Sequence, residues 1–151
     1  MNQRLLLTAL LLLWPARAIA ADLTTLQQVL LRHGFRIEAR QPPGRAYGRF
    51  IPSRKLLEIS PLVRDLGITR PVLLHEAVHA AQSCPGGRLT PLGLQRQSSP
   101  VVESRIRYLL SQHYSQEHQI LEREAFRLQS QPDAEALIIA ALNQRCPRPE
   151  R

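Results

Sequence analysis

His75-Glu76-Ala77-Val78-His79 sets two imidazoles four residues apart, with a carboxylate directly after the first. On a helix, residues four apart stand one turn above each other on one face, so both rings can reach a single tetrahedral metal ion. Glu76, rotated around the axis, then addresses a water on that ion. This arrangement suits zinc-assisted hydrolysis of a peptide bond. The flanks predict a helix from Arg70 to about Ser83, with Thr69 as N-cap and Pro71 in the first turn. Val72, Leu73, Leu74, Ala77, Val78, Ala80 and Ala81 make it apolar all round, which predicts a central, buried element. His75, Glu76 and His79 are its polar exceptions. Two histidines and a glutamate in a dry setting need partners, and a cation supplies one.

Upstream of this helix the chain changes period twice. Leu23 to His33 is apolar at 23, 26, 29, 30 and 31 and predicts an amphipathic helix stopped by Gly34. Phe35 to Ala39 alternates, Gln41-Pro42-Pro43-Gly44 is a turn, and Ala46–Ile51 and Lys55–Ser60 read as strands joined around Pro52-Ser53-Arg54. A small antiparallel sheet is expected from these, followed by a connector from Pro61 to Gly67. Downstream, the Gly- and Pro-rich stretch Pro85–Ser99 reads as a surface loop that rims the cleft. Three helices then follow: Ser99-Pro100 to about Gln112, Ser115 to about Gln129, and Pro132 to Arg145. The expected architecture is α+β, a small antiparallel sheet packed on the central helix with further helices after it.

The first twenty residues read as a secretory signal. Asn2, Gln3 and Arg4 precede an apolar run from Leu5 to Trp14, and Ala18-Ile19-Ala20 has the small-x-small form of a cleavage site. The run is too short to span a bilayer, for which about twenty apolar residues are needed. The mature chain, Ala21 to Arg151, is then one domain's worth of sequence in a secreted or periplasmic setting. In such a compartment the two cysteines, Cys84 and Cys146, are expected to form one disulfide, stabilising by about 4 kcal/mol through loop closure.

The charge is basic, 20 Lys plus Arg against 12 Asp plus Glu, and Lys55 is the single lysine. The arginines are scattered from Arg32 to Arg151 without a block, which argues against a nucleic-acid partner. A solvated basic surface attracted to anionic envelope polymers, on a monomer acting on a peptide or protein, is the expectation.

A catalytic zinc normally takes three protein ligands and keeps a fourth position for water. A third histidine six residues past His79 is absent, since Pro85 stands there, Gln82 holds the intervening glycine position, and the only methionine is Met1. The metzincin arrangement is thereby excluded. The other source is a glutamate on a later helix, and Ile120-Leu121-Glu122-Arg123-Glu124-Ala125-Phe126-Arg127 offers two. Here the chain resembles the gluzincins, particularly small members related to thermolysin and the CaaX-type membrane proteases, whose downstream helix bears Glu-x-x-Ala-Asp or Glu-x-Glu-Ala.

The resemblance implies a zincin-like fold and zinc held by His75, His79 and Glu122, with Glu124 as the alternative ligand and Glu117 as a more distant one. Glu76 would be the proton carrier. Phe126 stands where many relatives have an aspartate that orients a ligand histidine, so another group must do so here. His118, one turn before Glu122, could orient that glutamate, assist the reaction or replace it as ligand. Tyr108, His113 and Tyr114 are further candidates to stabilise an oxyanion. Extended substrate would pair with an edge strand ahead of the metal helix, for which Lys55–Ser60 is the candidate. Two other classes stay open: a zincin-like module of the envelope that no longer cleaves, and a basic envelope-binding protein with an accidental motif.

Overall fold

One helix, Thr69–Gln82, organises the molecule, as its all-round apolarity requires: from Leu73 to Gln82 every residue is buried. The computed structural model describes residues 23–148, so the predicted signal, residues 1–20, lies outside the described part. Around the central helix stand the elements α1 (Thr24–Arg32), β1 (Arg36–Ala39), β2 (Gly48–Ile51), β3 (Leu56–Ile59), α2 (Leu62–Asp65), the central α3 itself, α4 (Pro100–His113), α5 (Gln116–Gln129) and α6 (Ala134–Arg145). The class is α+β, with six helices and one three-stranded sheet among the described residues. No helix among the described residues is long and apolar enough to cross a membrane.

Local chemistry accounts for the element ends. Gly34, at φ 81°, terminates α1: its N–H reaches Leu31 O and the Phe35 N–H reaches Leu30 O, a paired closure that a side chain at Gly34 would strain. Ser99 caps α4 by accepting from the Val102 N–H, with Pro100 at the first helical position. Thr69, expected as the cap of α3, is instead its first helical residue, and Ile68 occupies the cap position without a side-chain bond.

The sheet corrects one expectation. It is mixed rather than antiparallel, in the order β1-β3-β2, with β2 antiparallel and β1 parallel to β3. The β2–β3 hairpin turns through a 3-10 segment, Pro52–Arg54, with Lys55 in the left-handed region. β1 docks on the far side of β3, in a register that places Ile37, Leu57, Ile59 and Phe50 on one apolar face. The strand Lys55–Ser60, expected at an edge, is therefore central. The edge strand that packs on α3 is β2.

Cys84 and Cys146 form the expected disulfide, with Cα atoms 5.0 Å apart. It ties the end of α6 to the end of α3, which suits a protein matured in an oxidising compartment. Loop 85–99 is anchored on the same side. Arg145 donates to the carbonyls of Pro91 and Cys84 and to Thr90 Oγ1, while Leu92 and Leu94 pack on the core.

Candidate metal centre

The cluster assembles from two helices. α3 presents His75 and His79 on one face, and α5 packs across it so that Glu122 faces both. His75 Nε2 lies 3.1 Å from His79 Nε2 and 3.1 Å from Glu122 Oε2, and His79 Nε2 lies 3.4 Å from Glu122 Oε1. A tetrahedral ion with bonds of about 2.0–2.1 Å spaces its ligand atoms about 3.3 Å apart. Each imidazole nitrogen therefore stands near ligand spacing from the other and from one oxygen of Glu122, His75 from Oε2 and His79 from Oε1. This group could hold a metal ion.

Each imidazole is turned toward the cluster by an amide behind it. His75 Nδ1 is 2.7 Å from Gln129 Oε1, and His79 Nδ1 is 2.8 Å from Gln82 Oε1. With the Nδ1 protons given to these oxygens, the Nε2 lone pairs of the neutral rings face inward, and a protonated ring points its Nε2–H at Glu122. Phe126 takes no polar role; its ring lies against His75, with centroids 4.5 Å apart. Gln129, not residue 126, is the polar partner that orients His75.

Electrostatics follow from this crowding. Burial opposes ionisation of Glu122, but hydrogen bonds from His75 and His79 outweigh it and hold the carboxyl at about 2. Burial likewise opposes protonation of His79, yet its contact with Glu122 and the charges of Glu122 and Glu76 raise its pKa. Glu76 is displaced upward from the usual carboxylate range, chiefly by burial. The His75 and His79 charges and a hydrogen bond from the Phe50 backbone N–H act in the other direction. A carboxyl raised in this way is a better proton acceptor near neutral pH than an ordinary glutamate.

β2 closes over Glu76, and this explains Gly48. A Cβ built there would meet Glu76 Oε1 at 2.5 Å and Val72 Cγ1 at 2.8 Å. A glycine inside a strand marks such a close approach, and it is the signal by which this position could have been found from sequence. The cluster opens into a cleft of about 610 Å3 between the segment Arg45–Gly48, the start of α3 and the end of α4. Its wall is mostly apolar, including Pro71, Val72, Leu109 and Phe126. Tyr114 lines it, and burial, then the negative charges of Glu122 and Glu76 and a hydrogen bond to Glu122, push its phenol upward.

Not every residue singled out from sequence arrives here. Glu124 points to the opposite side of α5, where its carboxylate accepts from the N–H groups of Leu92 and Gly93 and from Gln82 Nε2. Two residues along a helix is about 200° of rotation, so Glu122 and Glu124 cannot share a target. His118 is exposed and bonded to Ser115 Oγ at 2.9 Å. Side chains on a helix lean toward its N-terminus, which carries this ring away from the cluster. Glu117 is likewise exposed in the first turn of α5. Of the three oxyanion candidates, His113 and Tyr114 line the cleft, whereas Tyr108 is exposed on the outer face of α4. Loop 85–99 contributes nothing to the lining, because Glu124 and Arg145 hold it on the far side of α5 and α6. Gln82 and Gln129 were missed because amides look like ordinary polar surface residues in sequence.

Fold and site together define an α+β domain whose buried helix and a later helix converge on two histidines and a glutamate. The chain belongs to the family described as "Domain of unknown function (DUF8637)", whose model matches residues 63–146, from α2 through the second cysteine. No curated protein and no solved structure matches the chain.

Proposed function

We propose that this protein is a small exported zinc metallopeptidase of the gluzincin type, with a zincin-like fold. The observation that carries the reading is the convergence of two inward-facing imidazole nitrogens and the Glu122 carboxylate near ligand spacing, with a buried carboxylate, Glu76, beside them. A purely structural site would have no use for that fourth group. His75, His79 and Glu122 would hold the ion, and two imidazoles plus one carboxylate are a donor set that zinc accepts. When bound, zinc supplies Lewis acidity that activates a water as nucleophile near neutral pH.

The remaining work belongs to the chain. Glu76, its pKa raised by burial, takes the proton from the attacking water and returns it to the leaving amine. Tyr114, kept protonated by burial and by its carboxylate neighbours, would turn its proton from Glu122 to the oxyanion. β2, not β3, is the edge on which extended peptide would add, and the apolar wall would receive a side chain next to the scissile bond.

Glu76→Gln tests this reading. Zinc should remain bound while hydrolysis of a peptide mixture, followed by mass spectrometry, falls by about 10²–10⁴-fold. Unchanged turnover rules the mechanism out.

A further inference from the structure

Gln82 is fully buried at the end of α3, and every hydrogen-bonding group of its side-chain amide is engaged. Its Nε2 donates to Leu121 O at 3.1 Å and to Glu124 Oε2 at 2.8 Å, while its Oε1 accepts from His79 Nδ1 at 2.8 Å. Both partners of the nitrogen are pure acceptors, so the amide has one orientation that satisfies it. That orientation puts the oxygen on His79, and the oxygen in turn requires the proton on Nδ1. The consequence is a lone pair on Nε2, facing the cluster. Gln129, which serves His75, has its Oε1 on Nδ1 but no partner fixing its nitrogen among the described residues.

From this geometry we infer that Glu124 is a positioning residue for the metal site, acting through Gln82 to fix the ring and tautomer of His79. Glu124 is itself set by the loop: Leu92 N–H donates to Oε2 at 2.7 Å and Gly93 N–H to Oε1 at 2.8 Å. The chain of contacts therefore runs from the 92–93 backbone through Glu124 and Gln82 to His79. The carboxylate that does not face the metal directs one of the ligands that does. Groups of this kind change metal affinity by about 10–100-fold when removed. The inference uses the proposed metal site only for its consequence on affinity, since the tautomer is a property of the metal-free chain.

The test reads both properties in the full mature chain. At a pH well above neutral, imidazole 15N shifts of the metal-free protein report the tautomer of each histidine. Competition with a chromophoric chelator reports the affinity for zinc. In the native protein His79 should carry its proton on Nδ1. In Glu124→Ala the His79 signals should move to a mixture of tautomers and zinc should bind about tenfold more weakly, with His75 unmoved. Gln82→Leu leaves the Glu124 contacts with Leu92 and Gly93 in place and should give the same two changes, which covers the case in which Glu124→Ala does not fold. A His79 tautomer unchanged in a folded Glu124→Ala, or in Gln82→Leu, overturns the inference. A native protein that binds no zinc but shows these tautomer shifts would refute the metallopeptidase reading and leave the positioning role standing.

Discussion

The two sides of α5 carry the same residue type and do different chemistry with it. On one side Glu122 meets two imidazoles, whose hydrogen bonds outweigh burial and depress its pKa to about 2. On the other, Glu124 accepts from two backbone N–H groups and an amide and holds loop 85–99 against the body of the protein. Both carboxylates are satisfied. What separates them is the donor set: backbone and amide N–H groups cannot give up their protons, whereas imidazole Nε2 atoms 3.1 Å apart can exchange a shared proton for a cation. The side of the helix that could hold an ion is thus the side whose donor atoms can exchange a proton for one.

The contrast can be broken at the loop side first, where the largest effect is expected. Replacing Cys84 and Cys146 by alanine removes a closure of sequence separation 62 and should cost about 4 kcal/mol in urea unfolding of the metal-free protein. His75, Glu122 and the zinc stoichiometry should be unaffected if the two sides are separable. Next, Glu122→Gln should weaken zinc binding by more than about a hundredfold, a larger loss than any change at Glu124 produces, as measured by chelator competition. Equal losses at 122 and 124 would erase the distinction.

Gly48→Ala sharpens it within the cleft. The new Cβ would drive Glu76 from its place beside β2, so turnover should fall by about a hundredfold while zinc affinity holds. The smallest effect is that of pH. Because the pKa of His79 is raised above 6.5, zinc must displace a proton there, and affinity should fall about tenfold per pH unit once pH drops below that raised value. The sign for the metal-free fold is the opposite. Protonated His79 contributes stability below pH 6.5 that is lost as pH rises through its folded value, whereas Glu122 contributes above 4.5 and loses it as pH falls toward 2. Calorimetry across that range, with and without chelator, separates the two trends.

Much of this site is written in local patterns. The central helix follows from an apolar run interrupted at His75, Glu76 and His79, and the cap at Ser99 and the stop at Gly34 follow from single residues. The choice between Glu122 and Glu124 was open in the sequence, because helical spacing says that they diverge but not which one turns inward. Strand order was not legible either. Pairing β1 with β3 depends on which apolar faces meet across the whole domain, and no run of four residues encodes that. The orienting amides were hidden for a related reason: Gln82 and Gln129 acquire their roles only from what α5 and α3 bring beside them. Gln82 was the more discoverable of the two, being a polar residue at the end of a helix that is otherwise buried on every side.

The central claim is that one divalent cation belongs among His75, His79 and Glu122. Crystals of the mature protein grown with zinc, measured at wavelengths on either side of the zinc edge, test it most directly. The account predicts a single anomalous peak within about 2.0–2.2 Å of His75 Nε2, His79 Nε2 and a Glu122 oxygen. A map with no peak there, or with the ion on Glu124 or the loop side, would contradict it.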